Sequence, residues 1–361
     1  MLRLAPDHHY RLYVREPEAA GALVFLESDS QRAGNLEIVT ISQARLWTHL
    51  GLAREIAARP PAALFIPAHV LPLPQALWRT TRTVVTIHDV GYRLFPQAHP
   101  LGQRMYLDWS TAINARCASA VVTDSETTRR DVQRLYRTSA ARMHVAYPGA
   151  PTLAGVDDAE SQSVLVKFGV DVHRPTVLFI GTLQPRKNLR RLIEAWRLLL
   201  ESGPASPVAN IATDAAPLLL IAGAKGWGGE DMDSIVEARG VSDSVRCIGY
   251  ISEREKAALM RGARAFAFPS LYEGFGFPVL EAQGAGVPVV CSNTSSLPEV
   301  AGDGALLVDP LDVRAIAAGL RTALYDEGGR AELIARGYRN VKRFTWDQCA
   351  GAILHLLELE Q

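Results

Sequence analysis

The sequence predicts an α/β protein in two domains, and three observations carry that prediction. At 361 residues the chain is too long for one ordinary core. Short apolar runs rich in β-branched residues alternate with helix-like stretches along both halves. Two of these runs lead into charged, glycine-bearing loops that open directly into helices, a strand, loop and helix unit typical of open α/β sheets.

In the first half, strand-like runs fall at Tyr10 to Val14, Leu36 to Val39, Leu64 to Ile66, Val84 to Ile87 and Ala120 to Thr123. Helix-like stretches lie around 43–58, 103–117 and 126–136, and Met143 to Ala146 is a further apolar run. Polar residues 157–163 read as the connection between domains, which sets an N-terminal domain at 1–160 and a C-terminal domain at 161–342. The second half repeats the alternation, with strands near 177–180, 218–221, 245–248, 265–268, 289–291 and 305–308. Between its first helix and second strand, the small and proline-rich stretch from Ser202 through Pro217 is expected to be a flexible surface insertion. Residues 343–361 carry Phe344-Thr345-Trp346 and an amphipathic stretch with Ile353, Leu354, Leu356 and Leu357, expected as a terminal packing helix.

Composition narrows the function. Lys and Arg total 38 against 38 Asp and Glu, so no basic field is available for nucleic acid, and no nucleic-acid partner is expected. No apolar run reaches the roughly 18 to 20 residues of a membrane span, and Met1 to Asp7 is no signal peptide. Cys117, Cys247, Cys291 and Cys349 sit far apart in apolar segments, which suits reduced thiols and a cytoplasmic protein.

The segment Glu273-Gly274-Phe275-Gly276-Phe277-Pro278-Val279-Leu280-Glu281 follows the apolar run Ala265 to Phe268 and places two carboxylates eight positions apart across a turn that opens a helix. Backbone N–H groups and the helix dipole favour an anion there, and a diphosphate suits the site. Gly274 and Gly276 let the backbone approach a bulky ligand, Glu281 can accept from a ribose diol, and Glu273 is left to meet a sugar. An ordinary connection with solvated carboxylates is the plain alternative. A second loop weakens that alternative. After Val177 to Ile180 come Gly181-Thr182-Leu183-Gln184-Pro185-Arg186-Lys187-Asn188 and then a helical pattern in Leu189, Leu192, Ile193 and Trp196. Two cations at a helix start oppose the dipole by about 0.3–1 kcal/mol, so an anion between them and the helix is the better explanation. Arg186 offers a planar fork for phosphate oxygens and Lys187 a point charge.

Together with Gly284 to Val290 and Leu297-Pro298-Glu299-Val300-Ala301-Gly302, these two segments resemble family 4 of the retaining glycosyltransferases. That resemblance implies the GT-B fold, two Rossmann-like domains facing across a cleft, with a nucleotide-sugar donor held by the C-terminal one. It implies that Arg186 and Lys187 take the donor diphosphate and Glu281 the ribose, and that Glu273 with the amides of Gly274, Phe275, Gly276 and Phe277 takes the sugar. It further implies that the terminal helix packs back over the N-terminal domain. In Ile87-His88-Asp89, at the end of a strand, a lone histidine is more often structural, but the family pattern sets His88 against the donor sugar. Asp89 reads as a turn or cap residue with a weaker chance of orienting the ring. The loop Gly249-Tyr250-Ile251 is expected to meet the nucleobase, with Ser252 capping the next helix.

The catalytic set expected is therefore His88, Glu273, Arg186 and Lys187. A front-face route is expected, in which the leaving diphosphate deprotonates the acceptor. No cofactor is expected. Asp231-Met232-Asp233 resembles a metal-binding Asp-any-Asp motif, but it follows Gly228-Gly229-Glu230 and suits acidic residues in a first helical turn, so no metal is expected. The wording of the two loops looks most like bacterial mannosyltransferases that use GDP-mannose, with UDP-glucose and other donors open. The acceptor implied is a glycan or a lipid-linked precursor, with peripheral contact to a membrane. A phosphorylase or epimerase of the same fold, and a catalytically impaired nucleotide-sugar-binding subunit, are the rival readings. Met1 to Val14 looks like a helix end followed by a second strand, whereas the family usually begins with one more strand and a glycine-rich loop. About 20–35 further residues are accordingly expected ahead of Met1.

Overall fold

The computed structural model describes residues 1–15, 34–42, 46–67, 70–78, 81–203, 216–229 and 231–359. The expected insertion largely lies outside the described residues, as do residues 43–45 at the head of the first helix-like stretch. From Trp47 to Leu52 that stretch is a wide π-type turn, which runs on into the α-helix Ala53–Ala58.

The chain forms two compact units. The first comprises Met1–Val90, Met105–Gly149 and Thr345–Gln361, and the second comprises Gly91–Arg104 with Ala150–Phe344. Residues 91–104 thus pack with the second unit, although they lie inside the expected N-terminal domain.

In the first unit, β1 (Tyr10–Arg15) pairs in parallel with β2 (Leu36–Ile41). A separate parallel sheet runs in the order β3 (Ala63–Ile66), β4 (Arg82–Ile87), β5 (Ala120–Thr123) and β6 (Met143–Val145). The terminal helix Trp346–Glu358, capped by the Thr345 side chain, closes one face of that sheet. Its Cys349, Ile353 and Leu356 share a core with Val84, Ala120, Val122 and Ala146.

The second unit holds six parallel strands: β7 (Thr176–Ile180), β8 (Leu218–Ala222), β9 (Val245–Gly249), β10 (Ala265–Phe268), β11 (Val289–Ser292) and β12 (Ala305–Val308). Their spatial order is β12-β11-β10-β7-β8-β9. The chain therefore winds outward in one direction from β7 and in the other from β10, and the switch falls between these two neighbours, paired at Ala265 with Val177. Helices cover both faces, so β7, β8, β10 and β11 are buried at every position and read in sequence as unbroken apolar runs. The helix Leu189–Glu201 inserts Leu192, Ile193 and Trp196 against them, and the Trp196 indole N–H donates to Ser244 Oγ at 3.2 Å. Truncating such a fully buried aromatic costs about 3–5 kcal/mol.

At the carboxyl end of the sheet the backbone is crowded. Gly223, at φ +146°, follows β8 so closely to β7 that a Cβ there would stand 2.0 Å from the Gly181 carbonyl oxygen. Among the described residues no helix is long and apolar enough to cross a membrane.

Candidate functional site

In an open parallel sheet the strand order reverses at a crevice beyond the carboxyl ends, and ligands bind there. The loops after β7 and β10 flank that point, and they are the two loops bearing Arg186, Lys187 and Glu273. Asn188 fastens them together. It sits at φ 63°, and its side-chain amide donates to the carbonyls of Pro269, at 3.0 Å, and Pro310, at 2.7 Å. The Leu271 N–H donates to the Arg186 carbonyl at 2.7 Å. Pro185–Lys187 form a tight turn ahead of the helix, so both cations stand at the carboxyl end of the sheet.

Glu273 lies between these cations. Its Oε2 accepts from Arg186 Nη1 at 2.7 Å and its Oε1 accepts from Lys187 Nζ at 2.6 Å. Arg186 Nη1 also reaches the Tyr272 carbonyl at 2.9 Å, and the Lys187 ammonium lies 4.7 Å from the centre of the Phe268 ring. Glu273 is 7% exposed and Lys187 6%. Burial alone would raise the Glu273 carboxyl, but Lys187 and Arg186 outweigh it and hold the group below its ordinary range. Two cations and one carboxylate leave a net charge of +1 in a largely buried cluster, an arrangement suited to a polyanion. Glu273 was expected to be available to a sugar; in the structure its carboxylate is engaged by the cations 86 and 87 residues away.

The loop beyond Glu273 is held from behind. Ser295 Oγ accepts from the Glu273 N–H at 2.9 Å and donates to the Glu273 carbonyl at 2.6 Å. Ser296 Oγ lies 2.9 Å from that carbonyl and 2.6 Å from the Phe275 carbonyl. Gly276, at φ 120°, turns the chain into the helix Phe277–Gly284, and a Cβ there would meet Leu297 at 2.8 Å. Phe275 is a core anchor, edge-on to Phe277 and Phe344 in a cluster with Leu280 and Val300.

Glu281 is 6% exposed and accepts from Lys256 Nζ at 2.7 Å. Burial would lower the Lys256 ammonium, but its bonds to Glu253 and Glu281 raise it instead. Lys256 was missed from sequence. The helix Glu253–Gly262 starts with a capping box between Ser252 and Glu255, so Lys256 is a cation in a first turn, the signal that singled out Arg186 and Lys187. Of the expected nucleobase loop, Gly249 ends β9 at the edge of the sheet, Tyr250 is 79% exposed, and Ile251 is buried in the core. The Ile251 side chain therefore packs inward, and its backbone is what it can offer to a ligand. Asp231 accepts from Ser234 Oγ at 2.6 Å at the start of the helix Met232–Ala238. Among the described residues no group of three or more His, Cys, Asp or Glu could hold a metal ion.

In the first unit, His88 ends the loop side of β4. Its Nδ1 lies 2.6 Å from Asp124 Oδ2 and its Nε2 lies 2.8 Å from the Pro67 carbonyl. A carbonyl only accepts, so Nε2 carries a hydrogen, and a second hydrogen on Nδ1 makes the ring a cation. The bond to Asp124 is the main reason the His88 pKa is raised, against the opposing effect of burial. Asp124 holds the ring by a hydrogen bond, and the charge of Asp89 also raises the His88 pKa. Asp124 lies just past β5, the neighbour of β4, and 36 residues along the chain from His88.

A doubly wound parallel sheet with paired cations and a buried carboxylate at its switch point presents a site suited to an anionic ligand. Residues 27–152 match the family model "Glycosyltransferase Family 4" and residues 163–340 the model "Glycosyl transferases group 1". The chain is 35% identical over 291 residues to the O-antigen chain mannosyltransferase B of Escherichia coli, across 78% of this chain and 71% of that protein. It is 29% identical to the D-inositol 3-phosphate glycosyltransferase of Jonesia denitrificans, across 73% of this chain and 60% of that one. Its fold matches sucrose-phosphate synthase of Thermosynechococcus elongatus, with a TM-score of 0.69 and 17% identity over 97% of this chain and 98% of that one. It also matches WaaG, a glycosyltransferase involved in lipopolysaccharide biosynthesis, with a TM-score of 0.65 and 17% identity over 99% and 93%. The chain belongs to glycosyltransferase family 4, has the GT-B fold, and is a glycosyltransferase.

Proposed function

We propose that this glycosyltransferase moves mannose from GDP-mannose onto a glycan or lipid-linked acceptor, with retention of the donor's anomeric configuration. The cluster of Arg186, Lys187 and Glu273 at the switch point supports the donor chemistry, and the 35% identity to an O-antigen mannosyltransferase supports the sugar. In this reading Arg186 and Lys187 bind the diphosphate and neutralise the charge that grows on it as the glycosidic bond breaks, each charge-assisted contact contributing roughly 1.5–3 kcal/mol. The departing diphosphate takes the acceptor proton on the face it leaves, so the protein supplies position and electrostatics rather than a base. Glu281, already fixed by Lys256, is assigned to the ribose, and the amides of Gly274 to Phe277 to the sugar and diphosphate; His88, whose two ring nitrogens bond to Asp124 and the Pro67 carbonyl, is assigned to the sugar through the charge of its ring. The reaction needs no metal or other cofactor. It takes place in the cytoplasm, with the protein at most peripheral to the membrane.

A panel of labelled nucleotide sugars, followed for slow hydrolysis without acceptor, tests the proposal. Preferential consumption of GDP-mannose supports it. Preferential consumption of a UDP-sugar overturns the donor assignment, and binding of nucleotide with no turnover of any donor identifies a binding subunit instead.

A further inference from the structure

We infer that Ser295 and Ser296 are positioning residues that fix the direction of the peptide N–H groups of Gly274 and Gly276. The inference rests on the proposed donor role of the 273–277 loop. Both serines lie between β11 and the helix Leu297–Ala301, 21 to 23 residues along the chain from the carbonyls to which they bond. Both bond to the backbone of that loop. The Ser295 hydroxyl bonds to both the N–H and the carbonyl of Glu273, at 2.9 and 2.6 Å, and so grips one residue's backbone from both ends. The Ser296 hydroxyl, fully buried, has one proton and two carbonyls within reach, those of Glu273 at 2.9 Å and Phe275 at 2.6 Å.

In a trans peptide the carbonyl of one residue and the N–H of the next point to opposite sides. Drawing the carbonyls of Glu273 and Phe275 toward the serines therefore turns the N–H groups of Gly274 and Gly276 away from them. Without the serines the glycines could rotate at little cost, because glycine has no Cβ to restrict its dihedrals. The loop thus takes its glycines for close approach to a ligand and its directionality from two hydroxyls elsewhere in the chain. Ser295 itself stands at φ 60°, a left-handed conformation that glycine adopts readily and serine does not. The residue there carries a hydroxyl, although the backbone would favour glycine.

That conflict supplies the test. Ser295→Gly removes the hydroxyl and relieves the backbone, so a purely structural position should gain or hold stability with activity intact. We expect its thermal midpoint to stay level or rise while kcat falls at least about ten-fold, on the scale of misdirecting an electrostatic donor. Ser296→Ala should lower kcat similarly. Arg186→Ala, measured alongside, separates the levels of the argument. Ser295→Gly at wild-type kcat, or a fall in kcat matched by a fall in midpoint, overturns the positioning role while a crippled Arg186→Ala leaves the donor reading standing. Wild-type turnover in Arg186→Ala overturns the donor reading itself.

Discussion

Replacing Glu273 by Gln isolates the electrostatics of the cluster, since it preserves size and removes one charge. At 2.6–2.7 Å each cation interacts with the carboxylate by about 6 kcal/mol, taking an effective dielectric constant near 20. Much of this is offset by the cost of burying the ions, several kcal/mol apiece. Lys187 stays buried against Phe268 with the Glu273 carboxylate gone, and breaking a buried pair in this way costs about 3–5 kcal/mol. The Gln carbonyl can still accept one bond, so the lower end applies, about 3 kcal/mol or roughly 6–12 °C in midpoint for a domain of this size. The folded-state pKa of Glu273 is depressed, so its contribution is complete above the ordinary glutamate range and disappears as pH falls through the depressed value. Urea unfolding of wild type and Glu273→Gln at a series of pH values should show a constant gap at neutral pH that narrows under acid conditions. The variant's cluster carries +2 rather than +1, so calorimetry should also show tighter binding of nucleoside diphosphate even as transfer declines. Equal midpoints at neutral pH, or weaker nucleotide binding, would refute this description of the cluster.

Arg186→Ala should lower turnover at saturating donor by roughly 10²–10³-fold with the fold retained, checked by circular dichroism beside the kinetics. Asp124→Asn should lower the pH at which the His88 ring titrates, read from its NMR carbon-bound proton shifts, because Asp124 is the main group raising it. The charged pair stabilises the fold fully below the ordinary histidine pKa and ceases to do so as pH rises through the raised folded value, so the stability gap between wild type and Asp124→Asn should shrink in that direction. An unchanged titration in the variant would remove Asp124 from this role.

The sheets were legible because parallel strands covered on both faces leave unbroken apolar runs, and Val177 to Ile180, Leu218 to Ile221 and Ala265 to Phe268 are such runs. The loops were legible because cations in a first helical turn and glycines beside carboxylates contradict local preference unless a ligand explains them. What stayed hidden was pairing between distant segments. Nothing in periodicity says that Glu273 closes on Arg186 and Lys187, that Asp124 holds His88, or that Lys256 reaches Glu281. The first two pairings come from strand order, since β7 and β10 are neighbours, as are β4 and β5. Residues 91–104 are a related case: their helical character is local, and their grouping with the second unit is a matter of packing.

An NMR time course of GDP-mannose with the wild-type protein, run with and without EDTA, tests the mechanism most directly. Mannose released or transferred should first appear in the donor's own anomeric configuration, at the same rate in both samples. First appearance of the opposite anomer, or a rate abolished by EDTA and restored by Mn²⁺, would contradict a metal-independent, retaining transfer driven by Arg186 and Lys187.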